Sequence, residues 1–261
     1  MQKTMKKLIF FVITLICLLI IQEAFSQDNY EIQVYGSEIV TLKATMVELH
    51  SNYTGGGSLI EENGVLPTHH IIHETIEITH GFTNWFEVGF YFFNAIGNEG
   101  RTNYVGSHIR PRVRVPDNWH WPVGVSLSLE AGYQKLQYSE DDWTLEIRPI
   151  IDKTFGKWYI AFNPAFEKSL HGLNSRKGYI FAPNVKGSYN VNKAWAPGLE
   201  YYGSVGGLFE FLPFKEQQQQ LFAVIDINAW EKWELNFGYG QAFTKAADNG
   251  IIKVIVGYRF K

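Results

Sequence analysis

The stretch Val123-Gly124-Val125-Ser126-Leu127-Ser128-Leu129-Glu130-Ala131-Gly132-Tyr133-Gln134 decides the fold. Val123, Val125, Leu127, Leu129, Ala131 and Tyr133 fall on one side of an extended chain, and Gly124, Ser126, Ser128, Glu130, Gly132 and Gln134 on the other. Strict period-two alternation is the mark of a β-strand with two different surroundings. Soluble strands usually run about five or six residues, whereas a tilted strand that crosses a bilayer needs roughly 9–11. This one is long enough to cross.

The same pattern recurs in both directions along the chain. Phe86, Val88, Phe90 and Phe92 alternate with Trp85, Glu87, Gly89 and Tyr91. Ile109, Pro111, Val113 and Val115 alternate with His108, Arg110, Arg112 and Arg114. Trp158 to Glu167 and Trp233 to Gly240 repeat it. The pattern predicts about twelve strands, at 43–53, 69–80, 85–94, 104–115, 122–134, 143–153, 157–168, 178–190, 195–205, 217–228, 232–243 and 251–260. A further short strand at Glu31 to Val34 is weaker. Connections alternate between short turns (81–84, 116–121, 154–156, 191–194, 229–231) and longer polar loops (54–68, 95–103, 135–142, 169–177, 206–216, 244–250). Seven tryptophans, Trp85, Trp119, Trp121, Trp158, Trp195, Trp230 and Trp233, lie at or beside short turns, and only Trp143 lies at a long loop. Short turns at one rim, long loops at the other and an aromatic girdle describe a single antiparallel transmembrane β-barrel, all-β, over residues 27–261. A soluble β-sandwich, the alternative, gives no reason for tryptophan to gather at one rim.

Composition agrees. The chain has 261 residues, 46% hydrophobic and 16% aromatic, with 19% charged residues and a net charge of −3. This is too aromatic for disorder and lacks the basic field that would attract nucleic acid, so no nucleic-acid partner is expected. Lys3, Lys6 and Lys7, the apolar stretch Leu8 to Ile21, and Ala24-Phe25-Ser26 read as a secretory signal peptide over 1–26. The only cysteine, Cys17, lies inside it, so no disulfide or thiol chemistry is expected after cleavage. No later stretch approaches the 18 apolar residues of a membrane helix.

Several residues strain the pattern. Pro111, Pro149, Pro164 and Pro183 fall inside strands, where each removes a ladder hydrogen bond, so bulges are expected there. Glu74 falls on the apolar face with Ile72, Ile76 and Ile78, which places it near the outer rim or marks a register shift.

The leader, the alternating strands and the terminal Val254, Val256, Tyr258 and Phe260 resemble bacterial outer-membrane β-barrel proteins, with Lys261 after the usual terminal aromatic. That resemblance covers nearly all of the chain after the leader. It implies outer-membrane localisation, a lipid surround and insertion by the barrel-assembly machinery. The segment from His73 to Gly89, HETIEITHGFTNWFEVG, is similar more narrowly to the meta-pathway phenol-degradation, transporter-like barrel group. What that implies is uptake of small organic molecules. No catalytic residues are carried over.

In a barrel the polar face must line the lumen, because an Arg or Lys facing lipid at mid-depth costs about 2–4 kcal/mol. The candidate lumen-lining and selectivity residues are Glu48, His73, Glu77, Glu87, His108, Arg110, Arg112, Arg114, Glu130, Glu146, Arg148, Lys186, Glu200 and Asp226. His50, Asp152, Glu234, Lys253 and Arg259 share that face. Arg110, Arg112 and Arg114 recur about every 7 Å and repel one another by about 2 kcal/mol per neighbouring pair, so they need carboxylates or water. Folding 85–94 on 104–115 places Glu87 near Arg112. The ladder reads as an anion-attracting stripe in a channel or as a salt-bridge network that stiffens the wall. His69, His73 and Glu77 are consecutively about 13 Å apart on a strand, too far to share one ion, so no metal or other cofactor is expected. His50 and Ser51 point to opposite faces, and no histidine can be assigned to Ser126 or Ser128.

The leading expectation is a passive channel for small solutes, with a bias toward anionic or aromatic organics. A closed structural or surface-interaction barrel is the alternative, and an outer-membrane lipid-modifying enzyme a more remote one. The sixteen residues 27–42 are too few for the plug domain of an energy-coupled receptor.

Overall fold

The computed structural model describes residues 29–97 and 100–261, so the expected signal peptide lies outside the described residues. Twelve long strands form the wall: β1 (Thr45–Gly56), β2 (Ile71–Gly81), β3 (Phe86–Ile96), β4 (Thr102–Arg114), β5 (Gly124–Gln134), β6 (Trp143–Phe155), β7 (Trp158–His171), β8 (Ile180–Tyr189), β9 (Trp195–Ser204), β12 (Gln218–Ile227), β13 (Trp233–Ala242) and β14 (Asn249–Phe260). A two-residue hairpin, β10 (Gly206–Gly207) and β11 (Glu210–Phe211), extends from the end of β8 inside one long loop. Each wall strand pairs antiparallel with its chain neighbours. β1 pairs with β14 from Thr45↔Phe260 to Gly56↔Asn249, which closes the sheet into a barrel. Closure leaves no edge strand, the condition for crossing hydrocarbon without orphaned backbone groups.

The alternation read from the sequence sets inside and outside. Ile78, Phe90, Phe92, Ile109, Leu129, Ile160 and Ile252 are exposed on the outer wall. Glu77, Tyr91, Arg110, Ser128 and Lys253, their neighbours in sequence or across the ladder, are buried inside. All eight tryptophans are exposed, as amphipathic rings at a membrane interface should be. At the shortest turn, Phe155-Gly156-Lys157-Trp158, Gly156 adopts φ +61°, a conformation that favours glycine.

The prolines behave differently from expectation. Pro164 lies directly opposite Pro183, and the register on either side is unchanged. Around Pro111 the β4–β5 ladder passes from Ile109↔Ala131 to Arg112↔Ser128 without a shift. Around Pro149 the β6–β7 ladder likewise passes from Ile147↔Phe166 to Ile151↔Phe162. The expected bulges are therefore absent there, and the ladder skips a few pairings in register. Register shifts occur instead at Phe93/Asn94 and Trp143/Thr144, toward the long-loop rim. Glu74 keeps its outward position on the fourth residue of β2, near that rim, where Ser51 Oγ donates to its carboxylate at 2.9 Å.

Two further findings concern residues 29–44. Glu31 to Val34 is not a strand; it runs unpaired through the lumen. Residues 27–42 are too few for a plug domain, yet the extended segment itself fills the lumen.

If the outer wall faces hydrocarbon, Leu129→Arg at mid-depth should destabilise the folded barrel by about 2–4 kcal/mol in a phospholipid refolding titration. An unchanged midpoint would mean that this face meets water.

Candidate functional site

The lumen is a lattice of charges closed around one extended segment. At the long-loop end, Asn29 donates to Asp248 at 2.6 Å and its carbonyl accepts from Asn52 at 2.9 Å. At the short-turn end, the Val40 amide donates to Glu87 at 2.6 Å, and Lys43 N–H reaches Gly81 O at 2.7 Å before β1 begins. The two ends thus sit at opposite rims. Extended chain from residue 29 to residue 41 reaches up to about 40 Å, more than the roughly 25 Å apolar band of such barrels. We call this segment the strap.

The strap has no β-ladder partner, so side chains from the wall satisfy its backbone. Thr75 Oγ1 donates to Tyr30 O at 2.6 Å, and Lys253 Nζ to Ile32 O at 3.1 Å. Asn163 makes two bonds to Tyr35, accepting from its N–H at 2.7 Å and donating to its carbonyl at 2.9 Å. Arg112 donates to the carbonyls of Gly36 and Glu38. Asp152 accepts from both the amide and the hydroxyl of Ser37, at 3.0 and 2.6 Å. Gly36 is closely covered: an added Cβ would lie 2.5 Å from the Tyr159 hydroxyl, which would have to shift. Apolar contacts complete the seat. Ile32 and Val34 pack on Ala161, Tyr202, Phe222, Val224 and Ile251, and Tyr30 packs on Tyr91, Phe93, Ala95 and Val105. At the rim, burial holds the Asp248 carboxyl above its usual pKa, opposed by the hydrogen bonds from Asn29 and Thr68.

Tyr35 occupies the centre. The guanidinium carbons of Arg110, Arg148 and Arg112 lie 4.8, 5.1 and 5.8 Å from its ring centroid, within cation–π range. Its hydroxyl bonds to Glu31, whose carboxylate lies 3.7 Å from Arg148. A phenol and a carboxylate of the strap are therefore held together in an arginine cage.

All fourteen candidate residues point inward, in several linked groups. Glu77 lies 2.5 Å from Arg110, and Glu87 stands 3.8 and 3.7 Å from Arg110 and Arg112. Glu87↔Arg112 is the register that the strand pairing suggested. Arg114 reaches Glu38 at 2.8 Å and also pairs with Asp117. Arg148 holds Glu146 through two bonds at 2.5 and 2.7 Å, and His108 meets Glu130 at 2.6 Å. Lys186 bridges Glu200 at 3.0 Å and Asp226 at 2.8 Å, and Lys253 also pairs with Glu200. His73 packs edge-on against Tyr30, with ring centroids 4.8 Å apart. Glu48 faces Glu77 directly across β1 and β2. Ser126 accepts from Arg112 Nε at 3.1 Å, so its partner is not a histidine.

Sequence reasoning missed Glu31, Tyr35 and the amide clamp of Asn163. A signal was present. The inward faces of β9, β12 and β14 carry Tyr202, Phe222, Val224, Ile251 and Ile255, all buried and too apolar for a wall facing water alone. Such a patch calls for an apolar occupant.

Comparison with solved structures finds the same architecture at low sequence identity. An outer membrane channel from Pseudomonas putida F1 matches with a TM-score of 0.55 at 12% identity, over 88% of this chain and 100% of that one. The KdgM porin matches with a TM-score of 0.56 at 10% identity, over 83% and 99% of the two chains. The NanC porin matches with a TM-score of 0.54 at 9% identity, over 82% and 99%. No protein-family model and no curated protein matches the sequence. The fold is that of bacterial outer-membrane barrels.

Lys253 is wholly buried and joins the strap to the Glu200 network. Removing one partner of a buried ion pair typically costs about 3–5 kcal/mol. Lys253→Met should fall toward the low end, since Glu200 retains Lys186, and should speed amide exchange in the strap near Ile32. Unchanged stability and exchange would show that Lys253 does not anchor the strap.

Proposed function

We propose that this barrel is a passive outer-membrane channel for small anionic or aromatic organic solutes, and that the strap opens and closes it. The observation that carries the reading is the cage around Tyr35. An aromatic ring and a neighbouring carboxylate, supplied by the chain itself, sit among Arg110, Arg112 and Arg148. A solute with the same chemistry would meet the same donors once the strap withdraws. Among the described residues Arg110 Nε and Nη1 have no hydrogen-bond partner, which leaves donors to spare for an anion. Passage would run down a concentration gradient, selected by lumen width and by the charged lining.

In this proposal Arg110, Arg112, Arg114 and Arg148 attract the solute. Glu77, Glu87, Glu130 and Glu146 hold those side chains in place, and Lys186, Glu200 and Asp226 brace the opposite wall. His73, His108 and Glu48 complete the lining. Membership of the meta-pathway phenol-degradation, transporter-like group belongs to the same reading. Its support is the His73–Gly89 segment, which forms the β2–turn–β3 hairpin bearing Glu77 and Glu87. So do removal of the leader 1–26 and insertion by the barrel-assembly machinery through the β14 strand.

A second reading, a closed structural or surface-interaction barrel, is favoured by the filled lumen. Its long loops tie together over one mouth, as in Leu66 N–H to Gln137 O at 2.9 Å and Asn63 to Glu140 at 2.8 Å.

Planar-bilayer recording separates the two. A variant lacking residues 29–38 should conduct in larger discrete steps than the intact barrel, with heat-modifiable gel mobility as the folding control. Arg112→Glu in that background should move the reversal potential toward cation selectivity. A folded but silent deletion variant would support the closed barrel, and an unmoved reversal potential would remove Arg112 from the selectivity role.

A further inference from the structure

We propose that Glu48, His50 and Glu77 form a binding site for one divalent transition-metal ion inside the barrel wall. Each offers one ligand atom, and these atoms lie within 4.8 Å of one another. All three side chains are buried, and His50 is wholly so. The strand pairing makes the cluster. Glu48 and His50 are two apart on β1 and so share the inward face, while Glu77 on β2 lies directly opposite Glu48.

Two features favour a ligand at this point. Among the described residues neither ring nitrogen of His50 makes a hydrogen bond of ordinary geometry, nor does Glu77 Oε2, and the nearest contact of the pair is the 3.5 Å approach of His50 Nε2 to Glu77 Oε2. Buried imidazoles and carboxylates are seldom left in that state. Two carboxylates also face one another across a single ladder rung, and Arg110 neutralises only one of them, through Glu77 Oε1. A divalent cation would satisfy the imidazole, Glu77 Oε2 and Glu48 together, with Arg110 keeping Oε1. One imidazole and two carboxylates suit zinc or a metal of similar preference. Ligands about 2.0–2.2 Å from an ion stand roughly 3.5 Å apart, so the three groups would close in by about 1 Å.

A route exists. A cavity of about 110 Å³ beside the strap is lined by Glu48, Glu200, Asp226 and Glu234 and reaches Asn228 at the short-turn rim. Its four carboxylates outnumber the three cations that pair with them, Lys186, Lys253 and Arg259, which leaves Glu48 to face a cation. Along-strand spacing could not reveal this site, because it groups His69, His73 and Glu77, whereas the pairing of β1 with β2 brings Glu77 to His50.

The test uses the full, tag-free folded barrel in detergent, stripped with a chelator and titrated with Zn2+ alone. One zinc per chain should bind. His50→Ala and Glu48→Gln should each weaken binding at least about tenfold, while His69→Ala/His70→Ala at the loop rim should not. X-ray absorption of the zinc-loaded wild type, which needs no variant to fold, should show one imidazole among oxygen ligands. Absence of saturable binding would overturn the site. So would binding unchanged in His50→Ala and Glu48→Gln, loss of binding in the loop variant, or a spectrum with no imidazole or with several.

Discussion

A strand in hydrocarbon can leave no backbone group unpaired, and the rest of the structure follows from that constraint. The ladder must close, and it does so where β1 meets β14. Once closed, every strand has one face toward lipid and one toward the lumen, and at mid-depth charge goes inward; Glu74, which faces out, sits near the long-loop rim. The lumen thus inherits Arg110, Arg112, Arg148, Lys186 and Lys253 together with Glu77, Glu87, Glu130 and Glu200. Packed this closely, these side chains need opposite charges nearby, and Glu87 opposite Arg112 and Lys186 opposite Glu200 supply them on the ladder itself. The like-charged rungs Glu48–Glu77 and Glu130–Glu146 instead draw on Arg110 and Arg148 from neighbouring positions. The ion network is the consequence of closure, not a separate device.

The strap solves the problem that remains. Twelve strands enclose more space than side chains alone fill, since eight already leave an interior just wide enough for them. An extended chain inside that space brings its own unpaired amides and carbonyls. Asn163, Arg112, Asp152, Lys253 and Thr75 supply the partners that a neighbouring strand would otherwise provide. Individual bonds of this kind contribute about 1 kcal/mol each, more where a charge takes part. The strap is held by many modest contacts and no β-ladder, an arrangement that can be ordered at rest and still be exchanged for a solute or for water.

The wall was legible in the sequence because its signal is local. Alternation in 122–134 or 157–168 comes from side chains two residues apart, and the observed strands Gly124–Gln134 and Trp158–His171 differ from those spans by at most three residues at either end. The inward set of charges was legible for the same reason, and Glu87 beside Arg112 followed from folding one hairpin. The strap was not. Its Glu31–Val34 stretch alternates like a strand, yet what fixes it is remote in sequence. Tyr35 meets Asn163 across a separation of 128 residues, and Ile32 meets Lys253 across 221. The proline expectation failed because a missing N–H was equated with an extra residue. All four prolines stay within continuous registers: Pro164 stands opposite Pro183 in an unbroken ladder, and the pairings skipped beside Pro111 and Pro149 resume without a bulge.

The claim on which the functional reading turns is that residues 29–41 occupy the lumen and block it. A cysteine pair at Ser37 and Gly124 addresses it most directly, because a Cβ at Gly124 would stand 3.1 Å from that of Ser37, near the roughly 3.5–4.5 Å of a disulfide, once the Asp152 carboxylate crowding that position swings aside. The bond should form in the folded barrel of Ser37→Cys/Gly124→Cys, hold single-channel current at or near zero, and release larger current steps on reduction. Free thiols that never cross-link, or the same current in oxidised and reduced protein, would contradict a strap that closes the barrel.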